Sequence, residues 1–327
     1  MNRSVRIRDV AVVGAGALGR WVAAKLSSSG TDVVLITRPN TTPATIPCQV
    51  FDFDGQKGPT KNTDLSSLSR DVEAGPVSAF QDETFRWLLM CTKAKDFEQA
   101  VRETETLVAA DGCVAVLSNG LGHAETLGAC GIEKSVAAIV TYGLCAAEDG
   151  SVQLRGSGGK IEIGPLNTGH GEPATHEQAQ DLAQRLDASG VAACVVADGG
   201  EQVWRKAMLN AGINPVAALL GCENGALPQH GAFALSVEAA REVQAVGIAA
   251  GVDLAAIDPE QALRDLCRDT ATNRCSTLQD LDAGRTTEMD WICGAVVRAA
   301  QKEQQEAPVN RLLGSLVRDV EMSQTAN

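Results

Sequence analysis

The chain has 327 residues, of which 44% are hydrophobic and 21% are charged, and its formal net charge is −13. This length predicts two domains or one large one, and the composition is typical of a soluble globular protein. The acidic balance argues against a nucleic-acid partner, which needs a basic surface, but it allows a small phosphorylated ligand. No stretch is apolar for long enough to span a membrane, so no membrane partner is expected.

The first predicted elements form a strand, a turn, a helix and a second strand. Val10–Val13 is an apolar run that predicts a buried strand, and a helical pattern ending at Gly30 and a strand at Val33–Ile36 follow. Between the first strand and the helix lies a G-x-G-x-x-G motif, made of Gly14, Ala15, Gly16, Ala17, Leu18 and Gly19. This order of elements indicates a dinucleotide-binding domain of the Rossmann type.

Each glycine of the motif has a physical role in such a site. Gly14 permits the tight turn, Gly16 lets a pyrophosphate approach the backbone, and Gly19 allows the helix and the strand to pack closely. The helix N-terminus adds N–H donors and positive potential.

The end of the second strand indicates which dinucleotide binds. An NAD site usually has an acidic residue there, whereas this strand is followed by Thr37 and Arg38. Asp32 precedes the strand and so lies at the wrong end. Thr37 and Arg38 suit a 2′-phosphate, which favours NADP(H), although Arg38 is also the kind of cation found in solvated loops.

Polar residues follow the next two predicted strands, 87–90 and 114–117. Thr92 and Lys93 come after the first of them, and Ser118 and Asn119 after the second. Ligands collect at the carboxyl ends of parallel strands, which favours a binding role, although Lys93 suits a surface cation and Asn119 a turn.

The other elements predicted before residue 198 complete an α/β domain over residues 1–198. Residues 40–83 carry interrupted short strands such as 48–51, and a helix is predicted over 94–109 and a strand over 136–141. Residues 142–163 are predicted to form a hairpin, with a turn at 148–150 and strands at 151–154 and 160–163, followed by a helix at 177–188 and a strand at 191–196.

Residues 199–327 are predicted to form an all-α second domain. The helical patterns cover 201–220, 233–251, 258–280, 288–304 and 309–322. In the first of them Lys206, Asn210 and Asn214 are four residues apart, which places them on one helix face among mostly apolar residues. This polar stripe predicts a cavity that binds a polar substrate and handles a proton; the alternative is the solvated edge of an ordinary helix.

Two later residues have polar side chains near predicted helix ends. Ser276 lies near the end of one helix, and Glu288 opens the next. The position of Glu288 has a simple alternative explanation, since the helix dipole favours an acid in a first turn, and Thr287 and Asp290 have the spacing of a capping box.

Ten cysteines and four histidines are dispersed along the chain, and no cysteine pair has C-x-x-C spacing. The chain begins without a signal-peptide pattern, which favours free thiols in a reducing cytoplasm. No metal site is expected without clustered ligands.

The motifs together resemble the ketopantoate reductase (2-dehydropantoate 2-reductase) family over nearly the whole chain. The resemblance rests on GAGALG with Arg38, on CTKAKD and SNGLG, on WRKAMLNAGINPVAALLGCENGAL, and on STLQDLDAGRTTEMDWICG. It implies NADPH-dependent reduction of a small 2-oxo acid, ketopantoate, to pantoate on the route to pantothenate and coenzyme A.

The resemblance also implies that the second domain, 199–327, binds the substrate and carries the catalytic residues, and it implies roles for individual residues. Lys206 would be the general acid, and Glu288 would bind the substrate hydroxyl. Asn119, Asn210, Asn214 and Ser276 would contact the substrate, while Lys93 and Asn119 would lie between cofactor and substrate. The glycine motif and Arg38 would bind NADPH.

Two alternatives remain at this stage. The first is a related NADP-dependent 2-hydroxy-acid dehydrogenase that acts on another 2-oxo acid, and the second is a non-catalytic NADPH-binding protein. The presence of Lys206 and Glu288 counts against the second. A homodimer is compatible with the sequence.

Overall fold

The computed structural model of the chain describes residues 5–52, 67–147, 149–155 and 159–325. The chain divides into two compact units. The first contains the residues up to Ser118 together with His123–Gly200, and the second contains Asn119–Gly122 together with Glu201–Asn327. A large sheet forms the first unit and helices form the second, so the predicted fold class is confirmed.

Eleven strands, counted over the described residues, form one sheet in the first unit. In chain order they are β1 (Arg6–Val13), β2 (Val33–Ile36), β3 (Ala44–Asp52), β4 (Ser67–Gly75), β5 (Glu83–Met90), β6 (Val108–Val116), β7 (Ser135–Val140), β8 (Gly143–Ala146), β9 (Val152–Arg155), β10 (Ile161–Pro165) and β11 (Ala193–Val195). Across the sheet their order is β11-β10-β7-β6-β5-β1-β2-β4-β3-β9-β8. The neighbouring strands from β7 to β4 run parallel, so their carboxyl ends share one edge.

The core of the first unit is built around β1. Its last four residues, Val10–Val13, are almost completely buried between β5 and β2. The helices of this unit are α1 (Ala17–Ser28), α2 (Phe97–Thr104), α3 (His123–Ala129) and α4 (His176–Ala188). Trp21 and Leu26 of α1 are fully buried in the same apolar cluster as β1. Burying a side chain of this size stabilises a fold by about 1.5–3 kcal/mol.

Several predicted elements of the first unit need correction. The helix predicted over 94–109 is shorter, because 3-10 turns flank α2 and β6 already begins at Val108. The predicted hairpin is confirmed for β8 and β9, which pair antiparallel, but the strand predicted at 160–163 pairs elsewhere, since β10 pairs with β7 and β11. Residues 44–52 and 67–75 form long antiparallel strands rather than short ones, and residues 53–66 lie outside the described part of the chain.

The second unit contains six helices within its described residues. They are α5 (Gly199–Leu220), α6 (Phe233–Ala249), α7 (Pro259–Asp269), α8 (Ser276–Asp282), α9 (Cys293–Lys302) and α10 (Pro308–Thr325). Close packing of α5 depends on Gly212, where a Cβ atom would lie 2.7 Å from Leu263 Cδ2 of α7. Nowhere among the described helices is there one both long and apolar enough to cross a bilayer.

Two helix predictions in the second unit are wrong. The pattern over 258–280 divides into α7 and α8 because carbonyls between them bond elsewhere: Ala271 accepts from the N–H of Gly225, and Asn273 accepts from that of Asn224. The helix predicted from Glu288 begins only at Cys293. Glu288 therefore lies in a turn before the helix.

Candidate active site

The glycine motif forms a tight turn between β1 and α1. Gly14 has a φ of +109°, a conformation that favours glycine. At Gly19 a Cβ atom would lie only 1.8 Å from the Gly14 carbonyl oxygen. Any larger residue at Gly19 would separate the helix from the strand, so the packing role predicted for this glycine is confirmed.

Gly16 has a different environment. It is the residue that caps the N-terminus of α1, and no atom lies within 4 Å of the position that a Cβ would occupy. Open space beside a helix N-terminus, where N–H groups lack partners within the helix, suits a phosphate group. Ala15, Ala17 and Leu18 complete the turn and are partly buried.

The two residues that follow β2, Thr37 and Arg38, both have polar side chains. The Thr37 N–H donates to the Gly75 carbonyl at 2.8 Å, and the Arg38 side chain is exposed. Asp32, at the opposite end of β2, binds both Nε and Nη2 of Arg8, at 3.0 and 2.6 Å. Because these bonds favour the carboxylate, they lower the pKa of Asp32. Asp32 therefore has a structural role away from the glycine turn.

Two buried hydroxyl groups lie beside the glycine turn without a hydrogen-bond partner. They belong to Thr37, after β2, and to Thr92, after β5. The Thr92 backbone nitrogen lies 3.1 Å from the position that a Cβ on Gly14 would occupy. An unpaired buried hydroxyl costs about 1–3 kcal/mol, which a bound ligand can offset. Open space at Gly16 and unpaired hydroxyls on both sides of β1 fit the phosphates and riboses of a dinucleotide.

Three further candidate polar residues follow β5 and β6 in the chain, namely Lys93, Ser118 and Asn119. Lys93 is exposed and immediately precedes a 3-10 turn in the first unit. The Ser118 hydroxyl donates to the Thr92 carbonyl at 2.8 Å, which ties the ends of β5 and β6 together. Asn119, the next residue, belongs to the second unit.

The polar stripe lies along α5. Lys206 and Asn210 are partly buried and Asn214 is 7% exposed, whereas their neighbours Met208 and Ala211 are fully buried. The helix continues through Pro215, which has no N–H to donate to the Ala211 carbonyl.

Lys206 has an unusual electrostatic environment. Burial lowers the pKa of Lys206 to about 8, while the negative charge of Glu288 acts in the opposite direction. Glu288 must therefore lie close to Lys206, although the two residues are 82 positions apart in the chain. An amine whose pKa is lowered to about 8 and which a carboxylate influences is suited to proton transfer.

The turn that carries Glu288 also contacts the segment 119–122. At Gly120, whose φ is +109°, a Cβ atom would lie 2.9 Å from the Trp291 carbonyl oxygen. The backbone at Gly120 therefore packs directly on this turn at Trp291.

Ser276 begins α8, next to a residue that contacts α5. The preceding residue, Cys275, is buried and its Sγ donates to the Asn214 carbonyl at 3.5 Å. Desolvation raises the pKa of Cys275 to about 11, so its thiol stays protonated at neutral pH. The exposed Ser276 side chain is thus placed near the end of the polar stripe.

Four separate segments of the second unit thus converge: α5, the 119–122 segment, the Glu288 turn and the start of α8. The sequence interpretation missed how the Glu288 turn is held, since Thr287 bonds to Glu321 of α10 rather than forming a capping box. Within the described residues, no group of three or more His, Cys, Asp or Glu side chains is placed to hold a metal ion.

The sheet-based unit and the helical unit each match a model of a family of oxidoreductases that act on CH–OH groups. The family model described as "Ketopantoate reductase PanE/ApbA" matches residues 10–168, and the model of its C-terminal part matches residues 200–321. The chain therefore belongs to the ketopantoate reductase family, as the sequence motifs predicted.

Individual relatives agree with this assignment. The 2-dehydropantoate 2-reductase of Archaeoglobus fulgidus is 29% identical over 97% of this chain and 99% of its own length. That of Halobacterium salinarum is 30% identical over 94% of this chain and 97% of its own. The crystal structure of a PanE/ApbA family ketopantoate reductase from Ralstonia eutropha JMP134 has a TM-score of 0.78 at 26% identity, covering 97% of this chain and 99% of that one.

The fold is shared beyond reductases of that name. A ternary structure of D-mandelate dehydrogenase with NADH and anilino(oxo)acetate has a TM-score of 0.81 at 23% identity, over 97% of this chain and 99% of that one. At this identity the likeness concerns the fold alone.

Proposed function

We propose that the protein catalyses NADPH-dependent reduction of 2-dehydropantoate to pantoate, a step toward pantothenate and coenzyme A. The observation that carries the proposal is the Lys206–Glu288 arrangement, in which burial brings the pKa of Lys206 to about 8 beside a carboxylate. The relatives named 2-dehydropantoate 2-reductase support the choice of substrate.

The cofactor would be held by the first unit. Gly14, Gly16 and Gly19 shape the turn for the pyrophosphate, and Thr37 and Arg38 would bind the 2′-phosphate. Arg38 is exposed and its guanidinium suits a phosphate, which favours NADPH over NADH. Lys93 would lie between cofactor and substrate. When bound, NADPH supplies the hydride for C2 of the 2-oxo acid.

The protein's own residues would handle the proton. Lys206, held protonated in part by Glu288, donates a proton to the C2 oxygen and stabilises the negative charge that develops there. The amides of Asn119, Asn210 and Asn214 orient the substrate without adding charge, and Ser276 binds near its carboxylate.

Glu288 would make the site selective for a hydroxylated substrate. A carboxylate acceptor left without a donor costs free energy, so a 2-oxo acid that lacks the hydroxyl binds less well. The alternative is a related 2-hydroxy-acid dehydrogenase that acts on another 2-oxo acid, and the fold shared with D-mandelate dehydrogenase does not by itself choose between the two.

One assay tests the substrate and the cofactor together. Oxidation of NADPH and of NADH is measured with ketopantoate and with a panel of other 2-oxo acids. We expect the highest kcat/KM for ketopantoate with NADPH. Negligible turnover of ketopantoate beside rapid turnover of another 2-oxo acid would support the alternative. At a pH well below the pKa of Lys206, where the lysine stays protonated without Glu288, Glu288→Ala should weaken the use of hydroxylated substrates and spare the others.

Two broader features complete the proposal. All ten cysteines are free thiols, which fits work in the reducing cytoplasm. A homodimer is the assembly to test by light scattering, since a ketopantoate reductase from Staphylococcus aureus with this fold is described as dimeric.

A further inference from the structure

We propose that Glu321 of α10 is a positioning residue that holds Glu288 in place for recognition of the substrate hydroxyl. The inference rests on the proposed function, because the role of Glu288 is part of it. Glu321 lies 33 positions beyond Glu288 in the chain and acts through Thr287, the residue that precedes Glu288.

Both oxygens of the Glu321 carboxylate bind Thr287. The Thr287 N–H donates to Oε1 at 2.9 Å, and the Thr287 hydroxyl donates to Oε2, also at 2.9 Å. Thr287 is only 4% exposed, so these bonds form largely away from water. One bond fixes the backbone and the other fixes the side chain, which leaves the peptide leading into Glu288 little freedom to turn.

The turn is also held on the other side of Glu288. Met289 is 1% exposed, and the carboxylate of Asp290 binds the guanidinium of Arg318, which also lies on α10. The Asp290–Arg318 pair is about half exposed, so it should contribute less than the buried pair at Thr287. Side chains of helix α10 thus bind the turn at both residue 287 and residue 290.

These contacts with α10 are needed because Glu288 does not lie in a helix. The helix α9 begins only at Cys293, and the backbone from Glu288 to Ile292 forms turns. A carboxylate on an untethered turn would sample many positions, and recognition of a hydroxyl requires one. Loss of the Glu321 bonds should therefore weaken binding of the hydroxylated substrate more than it alters proton transfer from Lys206.

Three variants separate positioning from charge. Glu321→Ala removes both bonds to Thr287. Glu321→Gln keeps them without the charge, because its amide oxygen accepts from the Thr287 N–H and its amide NH₂ donates to the hydroxyl. Asp319→Ala removes an exposed acid from the same turn of α10 and is the matched control.

The kinetic test uses ketopantoate and 3,3-dimethyl-2-oxobutanoate, which differs from it only in lacking the hydroxyl. We expect Glu321→Ala to raise the KM for ketopantoate about tenfold with kcat changed less than about twofold, since uniform binding is lost. The kinetics of the unhydroxylated acid should not change. Glu321→Gln and Asp319→Ala should behave as the wild type. Equal losses for both substrates would overturn the proposal, because a general structural defect would be the cause.

A spectroscopic test is independent of activity. Trp291 lies three residues after Glu288, and the chain has four tryptophans. In protein labelled with 5-fluorotryptophan, Trp291→Phe assigns the ¹⁹F line of Trp291. We expect Glu321→Ala to shift or broaden this line and to leave the other three unchanged, while Glu321→Gln restores it. An unchanged Trp291 line would overturn the positioning role. Absence of wild-type turnover with ketopantoate would instead count against the proposed function.

Discussion

The two units prepare for a ligand in different ways. In the first unit, the candidate site depends mainly on backbone geometry, because Gly14, Gly16 and Gly19 lie within six residues and shape one turn. In the second, the candidate residues are spread over four segments within residues 119–288, and the charge of Glu288 acts on Lys206 from a different segment. A site built from neighbouring residues is visible in the sequence as a motif, whereas a site built from distant segments is visible only as scattered polar residues. The following predictions test this contrast.

The largest effect is expected in the second unit. Lys206→Ala should lower kcat by about 10³-fold, since general acid catalysis contributes about 10²- to 10⁴-fold. Binding of NADPH, followed by its fluorescence, should stay near the wild-type value because the proposed cofactor site is in the first unit. Lys206→Arg is the control that keeps the charge but gives up no proton. Near-normal turnover in Lys206→Ala would show that Lys206 is not the general acid and would remove this contrast between the units.

The first unit should respond to glycine substitutions according to the space available. Gly19→Ala places a Cβ 1.8 Å from a backbone oxygen, and overpacking of this kind should cost about 3 kcal/mol of unfolding free energy. Gly16→Ala meets no atom within 4 Å and should change stability by less than about 0.5 kcal/mol. It should nevertheless weaken NADPH binding, because the methyl group occupies the space proposed for the pyrophosphate. Denaturant unfolding and NADPH titration measure the two effects. Equal stability of the two variants would contradict the proposed packing.

A smaller effect is expected at Arg38. Arg38→Ala should raise the KM for NADPH about tenfold, which corresponds to about 1.4 kcal/mol. The KM for NADH should hardly change, since NADH lacks the 2′-phosphate. Arg86, an exposed arginine on β5, gives the matched control Arg86→Ala. A parallel loss with both cofactors would assign Arg38 a role other than phosphate recognition.

The smallest effect concerns pH. Because Lys206 must be protonated to act as the acid and its pKa is about 8, kcat/KM for ketopantoate should be level below that pH and fall as pH rises through it. The charge of Glu288 raises the pKa of Lys206, so Glu288→Gln should move the midpoint to lower pH. A pH–rate profile measures both midpoints. A shift to higher pH would show that Glu288 does not act on Lys206 electrostatically.

The sequence alone was sufficient for features that depend on neighbouring residues. The strand at Val33–Ile36 has the predicted bounds, and the glycine turn has the predicted conformation at Gly14. The family and the two-part fold class also followed from motifs that are continuous in the chain. Apolar runs, glycine spacing and helical periodicity record local backbone preferences, which is why they could be read directly.

Tertiary structure alone decided the features that depend on distant partners. The pattern over 258–280 divides into two helices because the backbone N–H groups of Asn224 and Gly225 donate hydrogen bonds to carbonyls of the residues between the helices. Glu288 has the sequence context of a helix start, yet it lies in a turn held by Glu321. Its closeness to Lys206, and the lowered pKa of that lysine, arise from burial and packing. Such effects depend on which segments meet in space, and one-dimensional spacing does not encode the distances across which charges and hydrogen bonds act.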